Sequence, residues 1–474
     1  MSLAAVLYLF PAKRVARTTL LLAWVVVSSG RMTCLPLAKA EAGTADSSAN
    51  TCGPPNYCAR TDRKVEPYPK TPPAIGPAGY VITDPTFGSR MVRVTDEKSD
   101  PKAPGGRLTT PAGAIQNSWN ATSTMFYVIT GGGGFLLYDF DPATLAAHQQ
   151  NMPRLPWRAL QFSFAHPNLL YGVTERQPEI EQYDVSRGKT STINDPSKCL
   201  KLNSDDKAIA LSVSADDSRF LIVLGPEQDR DYLLYLYDRD KGCRWYNTQT
   251  GEVGGQWGPK GIASLEERYG LHNAHLAKSG RYVMIGRGQG PPGPSKWRIW
   301  DVETLNVTVC PTKCSGHQAV GYSHVLNPGG DHPLAMLKRS IDHLDAVSEI
   351  SDAHGSPGYW YDLHLSWLNA DPEDDNPACL STYRPSNPAT PGTPLDVNGP
   401  WENEILCIET DGKGSKVWRF AHTYSTAKNG FWSTPRGNVS PDGRFYMFTS
   451  DWQDQLGKGP DGKYRTDVFV VELR

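Results

Sequence analysis

A strand–turn–strand segment near the C-terminus, NVSPDGRFYMFTSDW from Asn438 to Trp452, most constrains the fold. Its Ser-Pro-Asp-Gly sequence is typical of a tight turn, and the aromatic and β-branched residues that follow predict a strand. Because a unit of this size cannot bury its own apolar face, its repetition predicts an architecture in which successive units stack. Looser copies begin at Asn117, Leu160, Ala210 and His272.

The third strand of each unit completes the pattern. The copies continue into FLLYDFD, IEQYDV, YLLYLYD, WRIWDV and DVFVVEL, each of which carries an acidic residue near its end. This strand order matches a β-propeller blade, and no helix-long window holds an apolar period of 3.6 residues, which argues against a helical repeat. Five units are clear, and Gly316 to Ala421 has room for one or two more. We therefore predict an all-β fold, a seven-bladed β-propeller, with six blades as the alternative.

The two ends of the repeat region predict how the ring closes. The strand-like segment Gly88–Thr95 precedes the first full unit, and the chain ends on a third strand. We expect the N-terminal strand to supply the outer strand of the last blade, which would leave no open edge. The Pro-rich region from Asp371 to Pro400 is expected to be an excursion from one blade, with the Asp374–Asp375 pair in solvent.

The N-terminus has the pattern of an export signal. Three basic residues precede the apolar run Thr19–Val27, and Ala38–Ala40 offers a small-x-small cleavage site. An uncleaved membrane anchor is the alternative, although the apolar run is short for a bilayer span. We expect a secreted or periplasmic protein with no integral membrane span after cleavage. The predicted segments are a signal peptide over 1–40, a Pro/Ser-rich linker over 41–80 and the propeller over 81–474.

The cysteines support export. Nine cysteines become eight if Cys34 is removed with the signal, and an even number is expected in an oxidising compartment. A zinc site is the rival interpretation, but no two Cys-x-x-Cys pairs face each other. The predicted disulfides are Cys52–Cys58, Cys199–Cys243, Cys310–Cys314 and Cys379–Cys407.

Composition and missing motifs exclude several functions. A formal net charge of −2 argues against a nucleic-acid partner, which requires a basic face. There is no Gly-x-Ser-x-Gly sequence of a hydrolase, and the Gly131–Gly134 run lacks the lysine of a phosphate loop.

Histidines recur at or near the predicted starts of inner strands, where propeller loops converge on the top face of the central channel. Neutral imidazoles that converge there can bind a divalent metal, or one can act as a general base. The alternative is structural, because an inner-strand histidine can hydrogen-bond the neighbouring blade. The residues concerned are His272, His275, His317, His324, His364 and His422.

The loop that enters the last unit carries a second cluster. It contains His422, Tyr424, Trp432 and Arg436. An arginine fork can hold a carboxylate, and aromatic faces can stack on sugar rings. The alternative for Trp432 and its neighbour Phe431 is simple packing between blades.

The Asn438–Trp452 segment resembles the WD-like repeat of secreted bacterial β-propellers, a group that includes the Tol-system periplasmic propeller and the oligogalacturonate lyases. The resemblance implies channel histidines that hold a divalent metal (Mn, Ca or Zn), and β-elimination on uronate-containing glycans. In that chemistry a metal or an arginine neutralises the uronate carboxylate, and a base removes the adjacent proton.

Two functions from different classes stay open at this point. One is a secreted polysaccharide lyase, and the other is a non-catalytic propeller that binds a glycan, peptide or protein partner at its top face. The predicted site residues are His275, His317 and His324 as metal ligands, His364, His422 and Arg436 as catalytic residues, and Tyr424, Trp432 and Trp367 as substrate-binding residues.

Overall fold

The structure is a computed structural model. It describes residues 52–101, 106–111, 113, 116–175, 177–227, 230–264, 268–288, 297–314, 316–329, 336–351, 362–368, 370–383, 399–412, 416–427 and 430–474, apart from the side chains of 349–351 and 362. The predicted signal peptide and the first part of the predicted linker lie outside the described residues.

The described chain forms seven antiparallel sheets, and each sheet is one blade of a β-propeller. Two strands precede the first blade: β1 (Val81–Thr83) and β2 (Arg90–Arg93). The first blade contains β3 (Leu108–Thr109), β4 (Met125–Thr130), β5 (Phe135–Asp141) and β6 (Ala146–Gln149). The second contains β7 (Trp157–Phe162), β8 (Leu169–Thr174), β9 (Ile180–Asp184) and β10 (Lys189–Asn194).

The third blade has six strands in the described chain and is the largest of the seven. It contains β11 (Lys207–Val213), β12 (Arg219–Gly225), β13 (Leu233–Asp238), β14 (Gly242–Asn247), β15 (Glu252–Gly255) and β16 (Gly261–Ile262). The fourth contains β17 (Leu271–Leu276), β18 (Tyr282–Arg287), β19 (Arg298–Asp301) and β20 (Val307–Val309).

The segment from Gly316 to Ala421, left open as one or two blades, holds two. The fifth blade contains β21 (Ala319–Val320), β22 (His324–Pro328), β23 (Met336–Ser340) and β24 (Val347–Ser351). The sixth contains β25 (Asp362–Ser366), β26 (Ala378–Tyr383), β27 (Glu404–Ile408) and β28 (Val417–His422). The prediction of seven blades is therefore confirmed.

The seventh blade joins both ends of the propeller. Its sheet order is β29 (Gly437–Val439), β30 (Phe445–Ser450), β31 (Asp467–Glu472), then β2 and β1. Strand β2 pairs with β31 through Met91 opposite Val471. A buried ion pair of 2.5 Å between Arg93 and Asp467 reinforces the join. The predicted closure by an N-terminal strand is thus present.

The repeated turn is built by side chains that the sequence repeat supplies. In the seventh blade, the Ser440 hydroxyl donates to Asp442 at 2.6 Å and accepts the Phe445 amide at 3.0 Å. Ser214 makes the same two bonds to Asp216 and Arg219 in the third blade. Local turn chemistry of this kind explains why the repeat was visible in the sequence.

A second repeated interaction couples the inner strands of neighbouring blades. The Leu276 amide donates to Ser212 Oγ at 3.1 Å, and the Val439 amide donates to Ser366 Oγ at 3.1 Å. The Val213 amide donates to Gln161 Oε1 in the same way. We call the residue whose side chain accepts this hydrogen bond the coupling position. Aligning the blades on the backbone hydrogen bonds of their first turns gives the residue at the coupling position of each blade. In order from blade one to blade seven, these residues are Ser118, Gln161, Ser212, His275, Ala319, Ser366 and Asn438.

The described part of the predicted linker is a packed strap. Within this N-terminal strap, residues 52–80, the Tyr57 ring packs edge-on against Trp418 at 5.2 Å, and its hydroxyl donates to Gly443 O at 2.8 Å. The Trp452 indole donates to Pro73 O at 2.8 Å. The Pro/Ser-rich composition predicted a linker, and in its described part the aromatic side chains find partners on the last two blades.

The predicted excursion from Asp371 to Pro400 is wrong over its first half. Strand β26 lies inside it, and Asp374 is fully buried. The Asp374 carboxylate accepts the backbone amides of Tyr322 and Ser323 at 2.8 Å, which ties the sixth blade to the fifth. The expectation that this carboxylate is in solvent fails because the fifth-blade turn needs an acceptor. Residues 384–398 lie outside the described part.

All four predicted disulfides are present: Cys52–Cys58, Cys199–Cys243, Cys310–Cys314 and Cys379–Cys407. The helical elements are two 3-10 turns in the described chain, Pro196–Lys198 and Gly430–Ser433. Within the described residues we find no helix with the length and apolarity that a membrane span requires.

Candidate functional site at the channel mouth

Three consecutive blades place polar side chains at the same height above the coupling position. The residue two positions before the coupling position is His317 in the fifth blade, His364 in the sixth and Arg436 in the seventh. His317 lies two residues before β21, Arg436 directly precedes β29 and His364 lies near the start of β25, so the three residues lie near the end where inner strands begin. We call this end the upper face. The equivalent residues in blades one to four are Gln116, Ala159, Ala210 and Asn273.

His317 and His364 are direct neighbours. Their ring centroids are 4.7 Å apart, and His317 is exposed with φ of 60° in the left-handed region. On the other side of His364, the Tyr383 hydroxyl lies 3.1 Å from His364 Nε2, and the two rings stack at 5.7 Å. Tyr383 ends strand β26, which delivers it to the upper face beside β25. An imidazole that is hydrogen-bonded to a phenol can exchange a proton with it.

Arg436 brings a buried positive charge to the same region. Its side chain is fully buried, Nη1 donates to Phe431 O, and Nε donates to Pro111 O at 3.2 Å. Among the residues that the structure describes, Nη2 has no hydrogen-bond partner and no carboxylate forms an ion pair with the guanidinium. Burial lowers the pKa of Arg436 to about 9, against an opposing contribution from Tyr383. A buried donor without a partner is costly, so this group is suited to an anionic ligand.

Two exposed aromatic rings lie over the arginine. Phe431 is 46% exposed and Trp432 is 41% exposed, both on the 3-10 turn Gly430–Ser433. The guanidinium carbon of Arg436 lies 4.4 Å from the Phe431 centroid and 4.9 Å from the Trp432 centroid. Phe431 also contacts the His364 ring edge-on at 5.9 Å. Together these residues form the mouth cluster: His317, His364, Tyr383, Phe431, Trp432 and Arg436.

His275 lies one level below the mouth cluster. It occupies the coupling position of the fourth blade, where the equivalent residues of other blades bond to the next blade. Burial, with a smaller contribution from His272, lowers the pKa of His275 to about 3, so that the imidazole is neutral at physiological pH. The buried His275 Nε2 has no hydrogen-bond partner among the described residues, so this histidine neither makes the inter-blade bond of Gln161, Ser212 and Ser366 nor joins the mouth cluster.

His324 lies at the opposite end of the inner strands. It begins β22, the second strand of its blade, and its Nδ1 is 3.3 Å from Asp374 Oδ2. Burial of Asp374 opposes its ionisation, but hydrogen bonds from His324 and from backbone amides lower its pKa. His324 therefore belongs to the contact between the fifth and sixth blades, and the structure does not bring it to His317.

His422 and Tyr424 are buried beneath the N-terminal strap. His422 Nδ1 lies 3.5 Å from Asp84 Oδ2, and the Tyr424 hydroxyl donates to the same carboxylate at 2.8 Å. The Tyr68 ring of the strap packs edge-on against His422 at 5.5 Å. Burial and Asp84 raise the pKa of Tyr424. These contacts are with Asp84 in the β1–β2 turn and with Tyr68 of the strap, and not with the mouth cluster.

Trp367 is directed to the lower end of its blade. Its indole donates to Asn376 O at 2.7 Å, and the ring is fully buried. The ammonium groups of Lys278 and Lys338 lie 5.5 Å and 5.9 Å from the ring centroid. Its position is that of a packing residue between blades four to six.

The structure thus brings together four of the predicted site residues: His317, His364, Trp432 and Arg436. Sequence reasoning missed Tyr383, because it ends a strand inside a Pro-rich segment, and weighed Phe431 only as packing. Among the described residues, no three His, Cys, Asp or Glu side chains lie close enough to hold a metal ion. His275, His317 and His324 lie at three different levels of the inner strands. The described residues therefore do not fit a resident Mn, Ca or Zn ion bound by three side chains.

No known protein family and no curated protein matches the sequence. Solved structures do match the fold. An oligogalacturonate lyase from Vibrio parahaemolyticus is 10% identical with a TM-score of 0.50, over 87% of this chain and 98% of that chain. An oligogalacturonate lyase in complex with manganese is 12% identical with a TM-score of 0.47, over 88% of this chain and 98% of that chain. TolB from Acinetobacter baumannii is 14% identical with a TM-score of 0.32, over 56% of this chain and 61% of that chain. At these identities the likeness is one of β-propeller fold.

Proposed function

We propose that this chain is an exported β-propeller that binds a uronate-containing glycan at the mouth cluster and cleaves it by β-elimination. One observation carries the proposal. A fully buried arginine, whose Nη2 has no partner in the described chain, lies directly beneath two exposed aromatic rings. A sugar that carries a carboxylate matches both features, because the carboxylate pairs with the fork and the ring stacks on the aromatics.

The cluster also contains groups for the chemistry. β-Elimination breaks the C–H bond next to the carboxylate and the C–O bond at the following carbon, and a C=C bond forms between the two carbons. Arg436 would neutralise the carboxylate, which makes that C–H bond more acidic. We assign the proton abstraction to His364 and the protonation of the leaving oxygen to Tyr383, since their polar atoms are 3.1 Å apart. No step of this scheme passes through a metal.

A second candidate is a non-catalytic propeller that binds the same class of ligand. It is favoured by the low exposure of the acid–base pair, 7% for His364 and 4% for Tyr383. A ligand could then contact His317, Phe431 and Trp432 without its reacting carbon reaching His364. In both candidates a ligand carboxylate reaches the fully buried arginine only when the overlying Phe431 or Trp432 moves aside. A peptide or protein partner at the same face would use the same arginine and aromatics.

The four disulfides support an oxidising compartment, so we place the protein outside the cell or in the periplasm. Cleavage of the predicted signal peptide belongs to this proposal.

The test compares oligogalacturonate with a neutral galactose oligomer of equal length. The proposal predicts binding of the acidic oligomer only, and a rise in ultraviolet absorbance from the new C=C bond. Binding without absorbance would select the non-catalytic candidate, and equal binding of both oligomers, or of neither, would refute the acidic site. Repeating the assay with a chelator and with added Mn tests the metal separately.

A further inference from the structure

A groove lies at the outer edge of the third blade, on the strands that this sheet has beyond the usual four. Strand β15 extends the sheet from β14, and the two-residue strand β16 ends it. The groove has a volume of about 490 Å³. Its side-chain lining includes Lys198, Trp245, Glu252, Gln256, Lys260 and Ile262. None of these residues belongs to the mouth cluster.

The floor of the groove is an indole lying on glycine backbone. Trp245 on β14 stands opposite Gly254 on β15, and a Cβ atom at Gly254 would lie 2.4 Å from the Trp245 ring. Gly255 follows with φ of 127°, and a Cβ there would lie 2.4 Å from Cys243 O. Any other residue at these two positions would displace the ring or the strand. The glycines therefore allow a flat aromatic platform, half buried and open to the groove.

The walls are fixed before any ligand binds. The Cys199–Cys243 disulfide ties the loop that carries Lys198 to strand β14. The Gln256 Oε1 atom accepts the Cys243 amide at 2.9 Å, which holds that side chain at the groove. A preformed site loses less entropy on binding than a mobile one.

The charges at the groove favour an anion. Lys198 and Lys260 outnumber Glu252, so that the lining is net positive on a chain of net charge −2. Lys198 lies 4.0 Å from Asp195, whereas Lys260 forms no ion pair among the described residues. Lys260 is therefore the better placed of the two to contact a ligand carboxylate.

We propose that this groove is an accessory binding site for an acidic oligosaccharide, with one sugar ring on Trp245 and a carboxylate or sulfate on Lys260. The assignment does not depend on chemistry at the mouth cluster. A peptide strand is less suitable, because the edge strand β16 is only two residues long and the neighbouring β15 leaves only Gly254 and Gly255 without a β16 partner. A second copy of this chain would bury roughly 800 Å² per partner in a stable interface, and the oligomeric state tests that occupant below.

The test is affinity electrophoresis in gels that contain polygalacturonate or neutral dextran, in an Arg436→Gln background that removes the mouth cluster's charge. Lys260→Gln should weaken retention by polygalacturonate about two- to fivefold, and Trp245→Ala about tenfold. Glu252→Gln should strengthen it. The control is Lys189→Gln, an equal charge change at an exposed lysine on β10.

Two results would overturn this assignment. One is a Lys260→Gln variant that migrates like Lys189→Gln in the polygalacturonate gel. Because Lys260 is exposed, this variant is expected to fold normally, so that a folding defect in Trp245→Ala would not obscure the outcome. The other is a dimer in light scattering that Ile262→Asp dissociates, which would identify a second copy as the occupant.

Discussion

Arg436→Gln is expected to raise the Kd for oligogalacturonate by about thirtyfold to a few thousandfold. The guanidinium is fully buried and lacks a carboxylate partner in the described chain. A ligand carboxylate would supply that missing partner through charge-assisted hydrogen bonds. Truncating one side of such a pair costs about 2–5 kcal/mol, and 1.4 kcal/mol is tenfold in Kd. Isothermal titration calorimetry measures the change directly.

Measuring the Tm of the variants separates a loss of ligand affinity from a loss of folding stability. Arg436→Gln removes a buried charge that has no ion-pair partner in the described chain, but it also removes donors to Phe431 O and Pro111 O, so its Tm is expected to fall by no more than that of the control below. The matched control is Arg339→Gln in the fifth blade, where the arginine is likewise fully buried and likewise donates to backbone carbonyls, those of Leu344 and Thr312, but lies outside the mouth cluster. That variant should lose stability and keep its affinity. A large fall in Tm for Arg436→Gln with unchanged Kd would show that Arg436 only holds the loop.

Arg419→Ala is expected to lower the free energy of unfolding by about 3–5 kcal/mol at pH 7. Arg419 is fully buried and binds Glu404 through two hydrogen bonds, Nη2 to Oε1 at 2.6 Å and Nε to Oε2 at 2.8 Å. Its Nη1 reaches Asp62 of the N-terminal strap at 2.8 Å. Without Arg419 the Glu404 carboxylate would be buried with no counterion. Chemical denaturation at several pH values provides the measurement.

The pH dependence gives this prediction a direction. Burial raises the pKa of Glu404, and Arg419 opposes that rise. In Arg419→Ala the folded-state pKa of Glu404 should therefore lie further above its unfolded value of about 4.3. The stability contribution of a group with a raised pKa is present below the unfolded pKa and is lost as pH rises through the folded pKa. The deficit of the variant should thus shrink as the pH falls from 7 toward 4.

Two variants complete this experiment. Arg60→Gln changes a nearby strap arginine whose side chain is 31% exposed, and it should cost no more than about 1 kcal/mol. Glu404→Gln combined with Arg419→Ala should restore part of the stability, because it removes the buried charge. An Arg419→Ala variant that is as stable as Arg60→Gln at pH 7 would show that Arg419 is not needed to neutralise the buried Glu404 or to hold Asp62 of the strap.

The fold could be predicted from the sequence because its determinants are local. Ser440 and Asp442 form their turn within a few residues of each other, and Ser214 and Asp216 repeat it. The outer strand β2 was recognisable because the last unit lacks its own. The strap was not, since Tyr57 and Tyr68 find partners more than 350 residues away.

The candidate site depends on register, which composition does not specify. His364 and Ser366 lie two residues apart, yet one joins the mouth cluster and the other couples blades. His324 was placed near an inner strand, but the fifth-blade turn between β21 and β22 is short, so that this histidine begins the second strand instead. His422 lies at the right height but is covered by the strap, a contact distant in sequence.

The most direct test of the mouth cluster is nuclear magnetic resonance of isotope-labelled histidines during titration with digalacturonate. Single His→Gln variants assign the signals. We expect the signals of His317 and His364 to shift with a common saturation curve, while those of His275, His324 and His422 stay in place. Unmoved His317 and His364 signals, or shifts centred on His275 or His422, would contradict a ligand site built by the fifth, sixth and seventh blades.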